Sequence, residues 1–115
     1  MLKAGIIGLG HGSRVLIDAF RLNNIEVYGI ASKNYSNAKK ICKEKEIRKT
    51  YHHWRELVSD TKIDIVAIAV PPYLQIDMLK ECLIKNKRVL CEKPLGIDIK
   101  KIKNIFLHIN KKHRF

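Results

Sequence analysis

Apolar residues along this chain follow two spacings in alternation. "KAGII" (3–7), "EVYGIA" (26–31), "DIVAIAV" (64–70) and "RVLC" (88–91) are apolar runs of strand length, and "RKTY" (48–51) is a shorter, weaker one. Between them, apolar residues recur every three or four positions, the period of a helix packed on one side. Residues 12–23 place Val15, Leu16, Ala19 and Phe20 on one face. Residues 37–46 place Ala38, Ile41 and Cys42 opposite a charged face, and 52–60 bury Trp54, Leu57 and Val58. Residues 73–85 align Ile76, Leu79, Cys82 and Leu83. A last helix begins near Asp98, an N-cap type, and carries Ile99, Ile102, Phe106 and Ile109 inward.

Five strands alternating with helices, without repeats or a flexible linker, predict α/β architecture with a parallel sheet. Residues 64–70 are rich in β-branched residues without alternation, so that strand is buried on both faces. The expected fold is a Rossmann-type doubly wound sheet in the order 3-2-1-4-5, a three-layer α/β/α sandwich occupying residues 1–115 as one domain. With no sixth strand, strand five would be a hydrophobic edge, and a second subunit could cover it, making an oligomer.

Composition changes this picture little. The chain has 115 residues, 46% apolar and 30% charged, as an ordinary folded domain does. No apolar run reaches 18 residues and no signal-type segment follows Met1, so a cytoplasmic location and no membrane partner are expected. Cys42, Cys82 and Cys91 lack metal-ligand spacing and read as core filling; no metal site is expected. The net charge of +12 raises nucleic acid as a partner. Lysine supplies 17 of the 23 basic residues, however, and they are spread along the chain. The one concentration, "KKIKNIFLHINKKHRF", fits a helix with a solvated basic face, and nucleic acid is not expected.

Chemistry gathers at the strand ends. In "GIIGLGHGSRV", Gly8 and Gly10 stand after a strand and before a helix, where the dinucleotide fingerprint G-x-G-x-x-G belongs. Gly8 permits the tight turn and Gly10 a close approach of backbone to pyrophosphate, which would rest on the following helix N-terminus. Leu9, His11 and Gly12 complete the loop, and Ser13 replaces the third glycine. At the end of the second strand, where NAD-selective sites carry an acid, the chain reads Ser32-Lys33. A hydroxyl and an ammonium can bind a 2′-phosphate that a carboxylate would repel, so NADP is expected over NAD. Val70-Pro71-Pro72 and Glu92-Lys93-Pro94 end strands four and five, so both face the crevice where such folds bind ligands. The proline pair also reads simply as a strand terminator. His11 reads as a loop residue without proton-transfer duty, and His52, His53, His108 and His113 as surface residues.

"AGIIGLGHGSRV", "AIAVPPYLQIDMLKECL" and "RVLCEKPLG" together resemble the N-terminal half of the glucose–fructose oxidoreductase, inositol dehydrogenase and rhizopine-catabolism (Gfo/Idh/MocA) family. The resemblance implies an NAD(P)-binding domain of an oxidoreductase acting on a sugar, a sugar derivative or a polyol. It implies that Lys93 sits near nicotinamide and substrate and assists hydride transfer, with Glu92 and Pro94 completing its motif and a cis bond between Lys93 and Pro94. It also implies a C-terminal α+β substrate domain, which these 115 residues lack. Tyr73 and Gln75 stand where members often carry a histidine, and Ser13 where they often carry glycine or alanine. A nucleotide-binding module without turnover, a regulator or a truncated relic, is the alternative, and the isolated chain is expected to lack full catalytic competence.

Overall fold

The structure, a computed structural model, describes residues 1–9 and 13–91. Five parallel strands form one sheet in the order β3-β2-β1-β4-β5, as the sequence predicts: β1 Lys3–Ile7, β2 Glu26–Ala31, β3 Lys49–Tyr51, β4 Ile65–Ile68 and β5 Arg88–Cys91. The helices are α1 Ser13–Leu22, α2 Tyr35–Glu44, α3 Trp54–Ser59 and α4 Pro72–Ile84. The expected tail helix from Asp98 and the Lys93–Pro94 bond lie outside the described residues.

Alternation along β1 divides the core into two layers. Ala4 and Ile6 face α1 and α2, packing with Ile17, Phe20, Ala38 and Ile41. Ile7 faces α3 and α4, packing with Leu57, Val58, Leu79 and Cys82. Such two-sided burial is why the central strands are apolar at nearly every position. Beside β1, strand β2 carries one extra residue: Ala4 pairs with Val27 but Gly5 with Gly29, leaving Tyr28 as a bulge. Val27 and Ile30, three apart, therefore face the same layer.

Two expectations about faces are corrected. α1 buries Ser13, Ile17 and Phe20, while Val15 is 68% exposed and Ala19 faces solvent. Val15, Leu16, Ile17, Ala19 and Phe20 span more than one face of this helix, so period alone could not choose the inward one; the small Ser13 sits against the sheet at its start. Trp54 is half-buried rather than buried, because it opens α3 at the sheet edge. Cys42 and Cys82 are buried free thiols, as core filling requires, and Cys91 is half-buried. Burial pushes the Cys82 thiol up to about 12, an inert form.

Below the strand ends, Tyr51 reaches past Gly29 to donate a 2.7 Å hydrogen bond to Asp60 Oδ2. Burial of Tyr51, and then its bond to a carboxylate, push its phenol well above the ordinary range. Asp60 is pulled up by burial, but hydrogen bonds from Tyr51, the Lys62 amide and Lys49 outweigh that and hold its carboxyl below its ordinary value. A depressed carboxylate stabilises the fold above its unfolded pKa, about 3.9, and that stabilisation is lost as pH falls through the folded value. Tyr51→Phe should therefore cost about 1–2 kcal/mol at neutral pH, with the gap to wild type closing below about pH 4. Denaturant unfolding across that range checks this, and a gap independent of pH would reject the Asp60 linkage.

Candidate functional site

The carboxyl ends of β1, β2 and β4 are tied into one rim. The Gly8 amide donates to the Ala31 carbonyl at 2.7 Å, and the Ala69 amide donates to the Ile7 carbonyl at 2.8 Å. Gly8 has φ +100, a conformation that side-chain-bearing residues rarely adopt, and a Cβ there would meet the Ala69 carbonyl and come within 2.8 Å of Val70 Cγ1. The turn expected at this glycine is thus imposed twice, by backbone conformation and by space.

A cleft of ≈ 530 Å³ opens along this rim. Its floor is Ile7, Gly8 and Leu9 from β1, Ala31, Ser32 and Lys33 from β2, and Ala69, Val70 and Pro71 after β4. Tyr73, Leu74 and Met78 of α4 form one side wall, and His52, His53 and Trp54 from the β3–α3 turn form another. Apolar groups dominate the lining, which among the described residues carries one lysine and two histidines but no carboxylate.

Six residues singled out in the sequence meet here: Gly8, Leu9, Ser32, Lys33, Val70 and Pro71. Ser13 is buried as the first residue of α1, and Pro72 is the first residue of α4, behind the N-cap Pro71. The proline pair therefore starts the helix while Pro71 also lines the cleft; proline at a first helical position forfeits no intrahelical bond. Gly10, His11, Gly12, Glu92, Lys93 and Pro94 lie outside the described residues.

Local structure fixes the polar groups. The Ser32 hydroxyl accepts from the Asn34 amide at 3.2 Å, so its own proton points elsewhere. Asn34 caps α2, accepting from the Asn37 amide at 3.0 Å. His53 caps α3 through Nδ1, which accepts from the Arg55 amide at 3.1 Å. His52 stacks on Tyr35 with ring centroids 3.7 Å apart and planes 7° from parallel. The Arg55 guanidinium lies 4.4 Å from the Trp54 ring centroid and 3.2 Å from Glu81, joining α3 to α4.

Several cleft residues escaped sequence reasoning as site residues, among them the three of the β3–α3 turn. His52 and His53 are exposed, as surface histidines would be, yet both line the cleft, as does Trp54. The one signal was their position directly after a strand, at the end of the sheet where the glycine loop also opens. Gln75, by contrast, points inward: it is 2% exposed, and its Nε2 donates to the Val70 carbonyl at 3.0 Å, bracing the loop that carries Pro71.

Among the described residues no helix is long and apolar enough to cross a membrane, and no group of histidine, cysteine or acidic side chains could hold a metal ion.

Comparison with known proteins agrees with this geometry. The chain is 28% identical over 99 residues to an uncharacterized oxidoreductase of Synechocystis, covering 85% of this chain and 27% of the relative. It is 27% identical over 107 residues to the trans-1,2-dihydrobenzene-1,2-diol dehydrogenase of Sus scrofa, covering 90% and 32%. Among solved structures, myo-inositol dehydrogenase from Lactobacillus casei, in complex with NAD(H) and myo-inositol, superimposes with a TM-score of 0.87 at 26% identity, covering 97% of this chain and 34% of that one. The chain spans about a third of the length of these relatives. Residues 2–115 match the profile of an oxidoreductase family described by its NAD-binding Rossmann fold. The chain belongs to that family, Gfo/Idh/MocA.

Proposed function

We propose that this chain is the nucleotide-binding domain of an NADP-dependent oxidoreductase acting on a secondary hydroxyl, or its ketone, of a sugar, sugar derivative or polyol. The observation that carries the cofactor choice is the cleft lining at the end of β2, where Ser32 and Lys33 stand and no carboxylate does. The residues present fit a dinucleotide: bare backbone at Gly8, apolar walls from Val70, Leu74 and Met78, and a hydroxyl with an ammonium beside them. When bound, the nicotinamide supplies the hydride carrier. The chain's own part is to hold the nucleotide with Gly8, Leu9, Gly10, His11, Gly12 and Ser13 at the phosphates, Ser32 and Lys33 at the ribose, and Val70, Pro71, Pro72, Glu92 and Pro94 along the crevice. Lys93 polarises the substrate oxygen. The opposite wall, which excludes water and completes proton transfer, is assigned to a substrate domain beyond these residues. The substrate class draws on two relatives named for dehydrogenating myo-inositol and a dihydrobenzenediol, both rings bearing secondary hydroxyls.

Trp54 is the single tryptophan and lines the cleft, so its fluorescence reports occupancy directly. NADPH should quench it with an affinity about tenfold above that of NADH, the worth of a charge-assisted hydrogen bond. Tighter binding of NADH would overturn the Ser32–Lys33 argument, and no response to either would overturn nucleotide binding. Lys93→Ala should leave this titration unchanged while lowering turnover of the native gene product on the order of a hundredfold. Unchanged turnover would reject its role.

A further inference from the structure

We propose that His52, oriented by Tyr35, is a specificity-determining residue that binds the 2′-phosphate of the adenosine ribose together with Ser32 and Lys33. The inference rests on the nucleotide reading of the cleft and adds residues to it that the glycine loop and the strand-two end do not supply.

His52 belongs to the turn after β3, whereas Ser32 and Lys33 belong to the turn after β2 and Tyr35 opens the helix that follows it. The ring stack joins the β3–α3 turn to the start of α2, so the imidazole is held on a cleft that Ser32 and Lys33 also line instead of sweeping through solvent. A stacked ring has one face occupied and its edges free, and the edges carry its nitrogens. Among the described residues neither nitrogen of His52 has a hydrogen-bond partner, and the Lys33 ammonium has neither an ion pair nor a hydrogen bond. Lys49 and Lys87, by contrast, are both engaged, with Asp60 and with backbone carbonyls. An imidazole offers at least one N–H donor in either protonation state, the lysine offers three, and the Ser32 proton is free to donate. These three donor groups line one cleft that, among the described residues, carries no carboxylate, the chemistry a phosphate monoester selects. A free ribose hydroxyl, itself a donor and uncharged, gains far less from the same set.

The probes are adenosine 2′-monophosphate and adenosine, titrated against the full chain with Trp54 fluorescence as readout. Wild type should prefer the phosphorylated nucleoside. His52→Ala should lower that affinity about tenfold and leave adenosine binding unchanged. Tyr35→Leu, which removes the stack, should lower it about threefold, and Tyr35→Phe, which keeps a ring, should restore it. Equal loss for both probes in His52→Ala, no loss in either, or failure of Tyr35→Phe to restore the preference would each overturn the proposal. If the His52-dependent preference holds but NADPH neither binds nor supports hydride transfer, the oxidoreductase reading falls and this site stands. If NADPH binds and the 2′-phosphate preference ignores His52, the reverse is true.

Discussion

Gly8→Ala is expected to cost about 3 kcal/mol of stability and to abolish nucleotide binding. Two penalties coincide at this residue. Its φ of +100 strains any residue with a Cβ, by roughly 1–3 kcal/mol. Its Cβ would also press on the Ala69 carbonyl and Val70, and overpacking adds a further roughly 1–3 kcal/mol. Neither neighbour can retreat: the Ala69 amide is bonded to Ile7, and Val70 is pinned by Gln75 through its carbonyl. Relief must come from β1 and β4 moving apart, which opens the floor of the cleft. Denaturant unfolding gives the stability loss, and the Trp54 titration gives the binding loss. A variant within about 0.5 kcal/mol of wild type that still bound nucleotide would show the turn to be less constrained than its contacts indicate.

Leu57→Ala should cost about 3–4 kcal/mol, in the middle of the range for buried leucines. Leu57 is fully buried on α3, and its side chain covers Gly5 of β1; a Cβ on Gly5 would lie 2.9 Å from Leu57 Cγ and 3.1 Å from Ile63 Cδ1. Shortening Leu57 leaves a void above a residue with no side chain to fill it. Gly5→Ala should therefore destabilise wild type yet stabilise the Leu57→Ala protein by about 1 kcal/mol, a reversal of sign that only direct contact produces. The same effect of Gly5→Ala in both backgrounds would reject this account of the packing. Because α3 starts at the cleft, Leu57→Ala should also weaken nucleotide binding by loosening the turn that holds His52 and Trp54.

Much of the fold was legible because strand propensity and helical period point the same way along most of this chain. The β-branched run around Val66 could hardly be anything but a central strand, and its neighbours follow from chain order and the right-handed crossover. The candidate site was legible where its residues are local: Gly8 after one strand and Ser32-Lys33 after the next, all of which line the cleft. It was not legible where chemistry comes from distant turns. Nothing near His52 in sequence indicates Tyr35, 17 residues earlier, and only the sheet brings the two rings together. Gln75 likewise reads only as a polar position outside the apolar set of its helix, until the fold turns it inward onto the Val70 carbonyl.

The bulge at Tyr28 decides which side chain reaches the cleft at the end of β2. A straight ladder starting from the Lys3–Glu26 pair would match Ile7 with Ile30, whereas the bulged strand matches it with Ala31. The strand end would then present Ala31, in place of Ser32, to the cleft, with a methyl group where the hydroxyl now stands. The side chain presented at this end of the cleft thus depends on a phase set several residues upstream. A single insertion or slip in β2 would exchange that side chain without a substitution at any residue lining the cleft.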